Sequence, residues 1–359
     1  MTPLWGVATG YLLSVSALNF CSCSCYGFDV ASIDEKVNSW DLQGTTSRRN
    51  LFSASAASAA ALSRWYSSSS TYMADPSAFI TKSTKLLLAK QTLEAVSRVT
   101  DNNIKEYQRH GVTKISHVIS PEWIDLLRTG CETAQDEAGP SAEYLNQSTD
   151  EGIFFTDLEM ARRLPVFAAF SMYSPVAAVA GTLMGSNIVH YLYDQLFIKE
   201  KGVSTKTPWH QDGGYWRVKG VQLSSVFVPL DNVDQQDGLQ FVAESQSWSL
   251  HNPQHFADGT HYTGTSLPVM PDISQLHHER KLQLLNFSLN PGDVLVFSAK
   301  TVHGGSGNWG RALSTRWVGD DGKFWNRPGE GAIPSANAHL KDGQALGANS
   351  KMFPVAWRS

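Results

Sequence analysis

The pair His210 and Asp212, in Thr207-Pro-Trp-His-Gln-Asp212, limits the fold of this chain more than any other feature. Alternate residues of an extended strand point to one face. An imidazole and a carboxylate at i and i+2 can therefore grip one ion from the same side. Two ligands do not complete a site, so a third must return from a distance. His303, 91 residues beyond Asp212, is the candidate, and a returning strand can bring it to the same point. Two imidazoles and a carboxylate on one face leave the opposite positions of an octahedral ion open.

The chain has 11 His and 33 acidic residues, so a pair at this spacing arises by chance. The surroundings carry the argument. Leu289 to Phe297 reads as a turn at Pro291-Gly292 followed by a buried strand, Val294 to Phe297. His303 comes a few residues later, then the small-residue loop Gly304-Gly305-Ser306-Gly307-Asn308. Tyr191 to Lys199 and Gln222 to Leu230 read as strands, and Gly238 to Val242 follows a turn cluster. Short strands at close spacing predict an all-β sandwich or barrel core. Upstream the pattern is helical. Ile80 to Val99 carries a partial stripe of Leu86, Leu87, Leu88, Leu93, Val96 and Val99. Ser120-Pro121 reads as an N-cap with Pro at the first helical position. Met160 to Ala169 and Pro175 to Met184 continue the helical pattern.

Net charge is −4, so no basic footprint points to nucleic acid. No phosphate-binding Gly-rich loop and no C-x-x-C pair is present. Cys21, Cys23 and Cys25 crowd the N-terminal segment, and Cys131 stands alone in the body, which does not support a disulfide framework. Residues 1–75 read as a targeting leader and linker. Leu4 to Phe20 lacks charge, and Arg48-Arg49 precedes an Ala/Ser-rich run from Ser53 to Leu62. Two signals in series, the second like a twin-arginine signal, suggest an algal plastid protein with the thylakoid lumen as a terminus. With the leader removed, no stable membrane span is expected in the mature form. Residues 76–330 form the expected single domain and 331–359 a tail that wraps the surface. The irregular stretch Gln246 to His278 is long enough to form a lid. Its histidines (His251, His255, His261, His277 and His278) match no standard zinc spacing.

Several segments together resemble the phytanoyl-CoA dioxygenase family. They are Tyr193 to Lys199, Thr207 to Asp212, Gly238 to Val242, Pro291 to Phe297, Val302-His-Gly304 and Arg311 to Trp317. The entry segment Tyr107 to Trp123 resembles the family's helical start. The resemblance spans roughly residues 100 to 325. It implies a mainly β fold with flanking helices (α+β) around a double-stranded β-helix, or jelly-roll, core. It also implies Fe(II), O2 and 2-oxoglutarate, with ascorbate as a possible reductant, and release of succinate and CO2. His210, Asp212 and His303 would ligate the iron. Asp212 is present where related halogenating enzymes carry a small residue, which argues for hydroxylation or desaturation.

The far carboxylate of 2-oxoglutarate calls for a buried cation, and Arg binds a carboxylate in bidentate fashion. The family's usual Arg position falls on Gly310. Arg311 is one residue off, and Arg316 lies further along the strand; Arg311 is the expected anchor. Lys199, Gln195, Tyr193 and Phe227 sit where the family places co-substrate contacts, and Ser306 is a further expected contact. Trp209, Gln211, Tyr215 and Trp216 are expected to line the substrate pocket. The partner is a small-molecule substrate, expected to be lipophilic. Two rival readings remain: a jelly-roll metal enzyme that does not use 2-oxoglutarate, and a degenerate family member that only binds.

Overall fold

The computed structural model describes residues 72–359, apart from residues 79, 81, 146–151, 201–202, 204, 257, 306–308, 331–332 and 335–337. The targeting calls on the first residues, and Ser306, lie outside the described residues. In chain order the helices are α1 (Lys82–Ser97), α2 (Asp101–His110), α3 (Pro121–Asp136), α4 (Met160–Arg163), α5 (Pro165–Tyr173), α6 (Val176–Met184) and α7 (Ile273–His278). The strands are β1 (Val112–Ile115), β2 (Glu143–Tyr144), β3 (Phe154–Leu158), β4 (Ile188–Lys199), β5 (Thr207–His210), β6 (Val218–Lys219) and β7 (Leu223–Pro229). They continue as β8 (Gln240–Val242), β9 (Leu284–Asn286), β10 (Val294–Ser298), β11 (His303–Gly305), β12 (Arg311–Val318), β13 (Lys323–Phe324) and β14 (Val355–Arg358).

Two antiparallel sheets make the core. The major sheet runs β1-β10-β7-β12-β4-β3-β2, with β14 also paired to β4; the minor sheet runs β5-β11-β8-β9. Period-two alternation divides the major sheet into two faces. Val226, Val228, Leu196, Ile198, Val294, Val296, Leu313 and Trp317 pack outward with the helices. Phe227, Phe197, Leu295, Phe297 and Ala312 point inward with Phe241 of the minor sheet. All of β7 is buried because both of its faces are covered. Two sheets enclosing one apolar interior, with helices on the outside of one, is the expected jelly-roll core with flanking helices.

The predicted strands appear within a few residues of their expected bounds. The helices differ in detail. Of the stripe read in α1, Leu88 is buried but Leu86, Leu87 and Leu93 are exposed. Apolar residues fall all round this helix, so its pattern does not choose the face that docks. Ser120 takes the N-cap place of α3 with Pro121 behind it, yet its hydroxyl makes no cap bond. The last residues join the major sheet: β14 pairs with the start of β4, Val355 opposite His190. At the other end, Ala74 N–H donates to Ala161 O, so residues just before Pro76 pack on the body. Among the described residues, no single helix is long and apolar enough to cross a membrane. The apolar pair α5 and α6 is largely buried in the protein.

Candidate metal centre

β5 and β11 pair antiparallel, with His303 directly opposite His210. The third ligand arrives differently from expectation. The strand ends at His210, and Asp212 opens a short 3-10 turn through Tyr215. Gly213 N–H donates to Ala299 O (2.7 Å), anchoring the turn. A Cβ on Gly214 would lie 2.9 Å from His251 O, so the close approach of the insertion's backbone to this turn requires glycine there. Gly304 is similarly confined: its Cβ would meet Pro208 O at 2.8 Å and Trp209 Cα at 2.9 Å. The residue after His303 thus lets the two histidine strands approach.

Each imidazole is oriented by the backbone. His210 Nδ1 lies 2.8 Å from Pro208 O and His303 Nδ1 lies 3.0 Å from Thr301 O. With Nδ1–H spent on a carbonyl, Nε2 presents its lone pair to the site. Asp212 Oδ1 is 3.5 Å from His210 Nε2 and 4.0 Å from His303 Nε2. The candidate ligand atoms of all three residues lie within 4.8 Å of one another. The His303 ring is packed against Phe297 (4.6 Å between centroids) and Phe241 (5.7 Å). Burial, reinforced by the nearby His210, drives the His303 pKa down to about 3, so its imidazole is neutral and ready to ligate. Among the described residues, no second cluster of three metal-ligating side chains is found.

The other Asp212 oxygen is held by the protein. Ser225 Oγ–H donates to Oδ2, and Arg316 Nε lies 3.8 Å from it. Burial pushes the Asp212 carboxyl up, but Arg316 and the two facing imidazoles outweigh it. The carboxyl stays far below the usual carboxylate range. Oδ1 is thereby left for an ion. Ser225 was not singled out in the sequence, although it shares the inward face of β7 with Phe227, two residues on. We expect Ser225→Ala to weaken Fe(II) binding by about 10–100-fold, measured by anaerobic calorimetry. Unchanged affinity would show that Asp212 needs no brace.

A pocket opens beside the ligands. Its polar lining is Gln195, Thr207, Ser314 and Arg316; its apolar walls include Phe197, Phe227, Leu239, Phe256, Phe297 and Trp309. The insertion supplies part of the cover: Phe256 lies 5.0 Å from the His210 ring, and Tyr215 lies 5.6 Å from it. Tyr215 also meets Tyr262 of the same insertion.

The two arginines are placed in the reverse of the expected order. Arg311 shares the outward parity of Leu313, and its Nε and Nη2 grip Asp231 at 2.9 and 2.8 Å. Arg316 has the inward parity of Ala312 and Ser314 and lines the pocket. It donates to Ser314 O and Gln195 Oε1 and stacks over Tyr193. Its Nε is buried with no hydrogen-bond partner. An orphaned guanidinium N–H in a pocket beside a two-His, one-Asp cluster fits an anionic chelator next to the metal.

Of the other expected pocket residues, Tyr215, Gln195 and Phe227 are at the site, and Tyr193 supports Arg316. Trp209, Gln211 and Trp216 do not line it. Trp209 packs on the far side of the minor sheet with Val242, Ile273 and Val302. Gln211 braces the insertion, donating to Lys300 O and accepting from His251 N–H. Trp216 is buried in another cluster, its indole N–H on Tyr193 Oη.

Fold and site together define a jelly-roll oxygenase of the non-haem iron class. Residues 107–315 match the phytanoyl-CoA dioxygenase family (PhyH), and the chain belongs to that family of Fe(II)- and 2-oxoglutarate-dependent enzymes. No curated protein matches the sequence. The chain is similar in fold to the non-heme alpha ketoglutarate dependent carbocyclase SnoK from nogalamycin biosynthesis. The TM-score is 0.57 at 16% identity, over 72% of this chain and 97% of that one. The epimerase SnoN, in complex with Fe3+, alpha ketoglutarate and nogalamycin RO, gives 0.54 at 16% identity, over 72% and 98%. EctD from S. alaskensis, with 2-oxoglutarate and 5-hydroxyectoine, gives 0.53 at 17% identity, over 69% and 86%. At these identities the likeness is one of fold.

Proposed function

We propose that the protein hydroxylates a small, lipophilic metabolite, with 2-oxoglutarate converted to succinate and CO2. The observation that carries this reading is the buried His210, Asp212 and His303 cluster beneath a pocket walled mainly by aromatic side chains. The retained Asp212 carboxylate fills the place that halogenation would need for chloride, which supports oxygen transfer. Bound iron, with 2-oxoglutarate and O2, supplies the oxidising chemistry. The chain's own residues do the rest. His210 and His303 turn Nε2 toward the site, and Ser225 and Arg316 keep Asp212 ionised and turned. Arg316 Nε is available to an anionic ligand beside the metal. Tyr215 and Phe256 close over His210 and exclude water. Apolar walls bind substrate by burial of its hydrocarbon surface, worth roughly 25 cal/mol per Å².

The test is a screen of metabolites by substrate-dependent succinate release from iron-loaded protein, with product mass recorded. The expected hits gain one oxygen and are largely apolar. Hits confined to strongly polar compounds would sink the lipophilic reading, and loss of two hydrogens without oxygen gain would replace hydroxylation by desaturation.

A further inference from the structure

The turn that carries Asp212 is held from two sides. From the core it receives a backbone bond, Gly213 N–H to Ala299 O (2.7 Å). On the other side three consecutive carbonyls meet one stretch of chain far downstream. Gly214 O accepts from the Arg327 guanidinium, Tyr215 O from Ile333 N–H (2.8 Å), and Trp216 O from Arg327 Nε–H (3.1 Å). Arg217 returns the grip. Its N–H donates to Ile333 O (2.7 Å), and its guanidinium donates to Arg327 O, Gly329 O and Pro334 O. Residues 325–330, with Ile333 and Pro334, form a strap across the metal-ligand turn.

Arg327 is the side chain that joins strap to turn. It is 4% exposed, and its Nε and Nη2 serve main-chain carbonyls, not a carboxylate. Burial, reinforced by nearby Arg217, lowers its pKa to about 10, so it stays charged at neutral pH. Hydrogen bonds from a charged donor are roughly twice as strong as neutral ones. The turn needs such a hold. Two of its four residues are Gly213 and Gly214, and glycine restricts the backbone least. The direction of Asp212 is therefore imposed from outside the turn.

The same strap reaches the cover of the pocket. Glu330 N–H donates to Thr263 O (3.1 Å), Thr263 Oγ–H donates to Glu330 Oε2 (2.9 Å), and His255 Nε2 lies 3.8 Å from Glu330 Oε1. Thr263 adjoins Tyr262, whose ring meets Tyr215 of the turn. The strap lies beyond residue 315, where the match to the family ends.

We infer that Arg327 is a positioning residue of the metal centre, setting Asp212 by fixing the carbonyls of Gly214 and Trp216, and that residues beyond the family match thereby complete the site. Arg327 touches neither the ligand atoms nor the pocket lining; it acts through the backbone of the turn. Without it the turn keeps Gly213 on Ala299 and Tyr215 on Ile333, but it can pivot between them. Asp212 Oδ1 then loses its fixed aim toward the two imidazoles.

The test is anaerobic calorimetry of Fe(II) binding, with the urea midpoint of each protein measured alongside. Arg327→Met keeps the side-chain stem and removes every N–H. It should bind Fe(II) about 10–100-fold more weakly, and the visible charge-transfer band formed on adding 2-oxoglutarate should shift. Arg327→Lys keeps the charge and a donor, and its affinity should fall between the two. Leu88→Ala is the control: Leu88 is buried with the helices outside the major sheet, so the cavity lowers stability and should leave Fe(II) affinity at the wild-type value. Wild-type affinity in Arg327→Met would overturn the assignment. An equal loss of affinity in Leu88→Ala would also overturn it, since stability alone would then explain the effect. Should Arg327→Met not fold, Arg327→Lys is read by itself: a loss of about threefold or more supports the assignment, and wild-type affinity with an unmoved band overturns it. Wild-type protein that binds no Fe(II) would remove the metal centre, and the role of Arg327 with it.

Discussion

Asp212→Ala is expected to reduce turnover to the uncatalysed background and to abolish Fe(II) binding at micromolar metal. The carboxylate is the sole anionic ligand among the three, and its Oδ1 faces both imidazoles. A second effect follows from its other partners. Arg316 is buried, and Asp212 is the acidic group within salt-bridge distance of it. Removing one member of a buried ion pair costs about 3–5 kcal/mol, because the other charge is left behind. The alanine variant should therefore be folded but less stable, seen as a lower midpoint in urea. Asp212→Ala combined with Arg316→Met should regain much of that stability and none of the activity. Turnover surviving in either variant would remove Asp212 from the metal centre.

Gly304→Val is expected to lower turnover by about a hundredfold or more, since displacement of a reacting group by about 1 Å costs that much. Any Cβ at this position meets Pro208 O and Trp209 Cα of β5 at under 3 Å. Those are backbone atoms, which cannot rotate away. β11 must move off β5, and His303 moves with it, away from its partner His210. Overpacking of this kind costs stability by about 1–3 kcal/mol. Iron affinity and turnover should fall together, while Gly185→Ala, at an open surface turn, should spare both. A valine variant with wild-type iron affinity would show that the close approach of the two strands is not what sets the site.

The ligand set and the core were legible because their signals are local. His210 and Asp212 stand two apart, the strands alternate, and Pro291-Gly292 announces β10. The arginine assignment went astray for a physical reason. Counting along the loop favours Arg311, but a strand's two faces are set by parity, and Arg316 shares parity with Ala312 and Ser314. Distance along β12 seemed to exclude Arg316, yet the metal lies at that end of the strand. Trp209, Gln211 and Trp216 misled differently. They flank the ligands in sequence, but the chain turns at Asp212, so neighbours in sequence leave the pocket. Phe256 and Tyr262 were illegible because they belong to an irregular insertion with no periodicity to read. Lys199 was visible as a strand-end lysine, but only the packing of Phe154 and Trp309 around it reveals an ammonium with no acidic partner among the described residues.

The cross-strand pairing of His210 with His303 has a consequence beyond chemistry. The two residues close a long loop of chain, and an ion held between them acts as a removable cross-link across the minor sheet. Anything that binds only the folded state stabilises it by mass action. A cell short of iron would then hold a looser protein that is more readily opened and degraded. The amount of this enzyme, and not only its activity, would follow the iron supply.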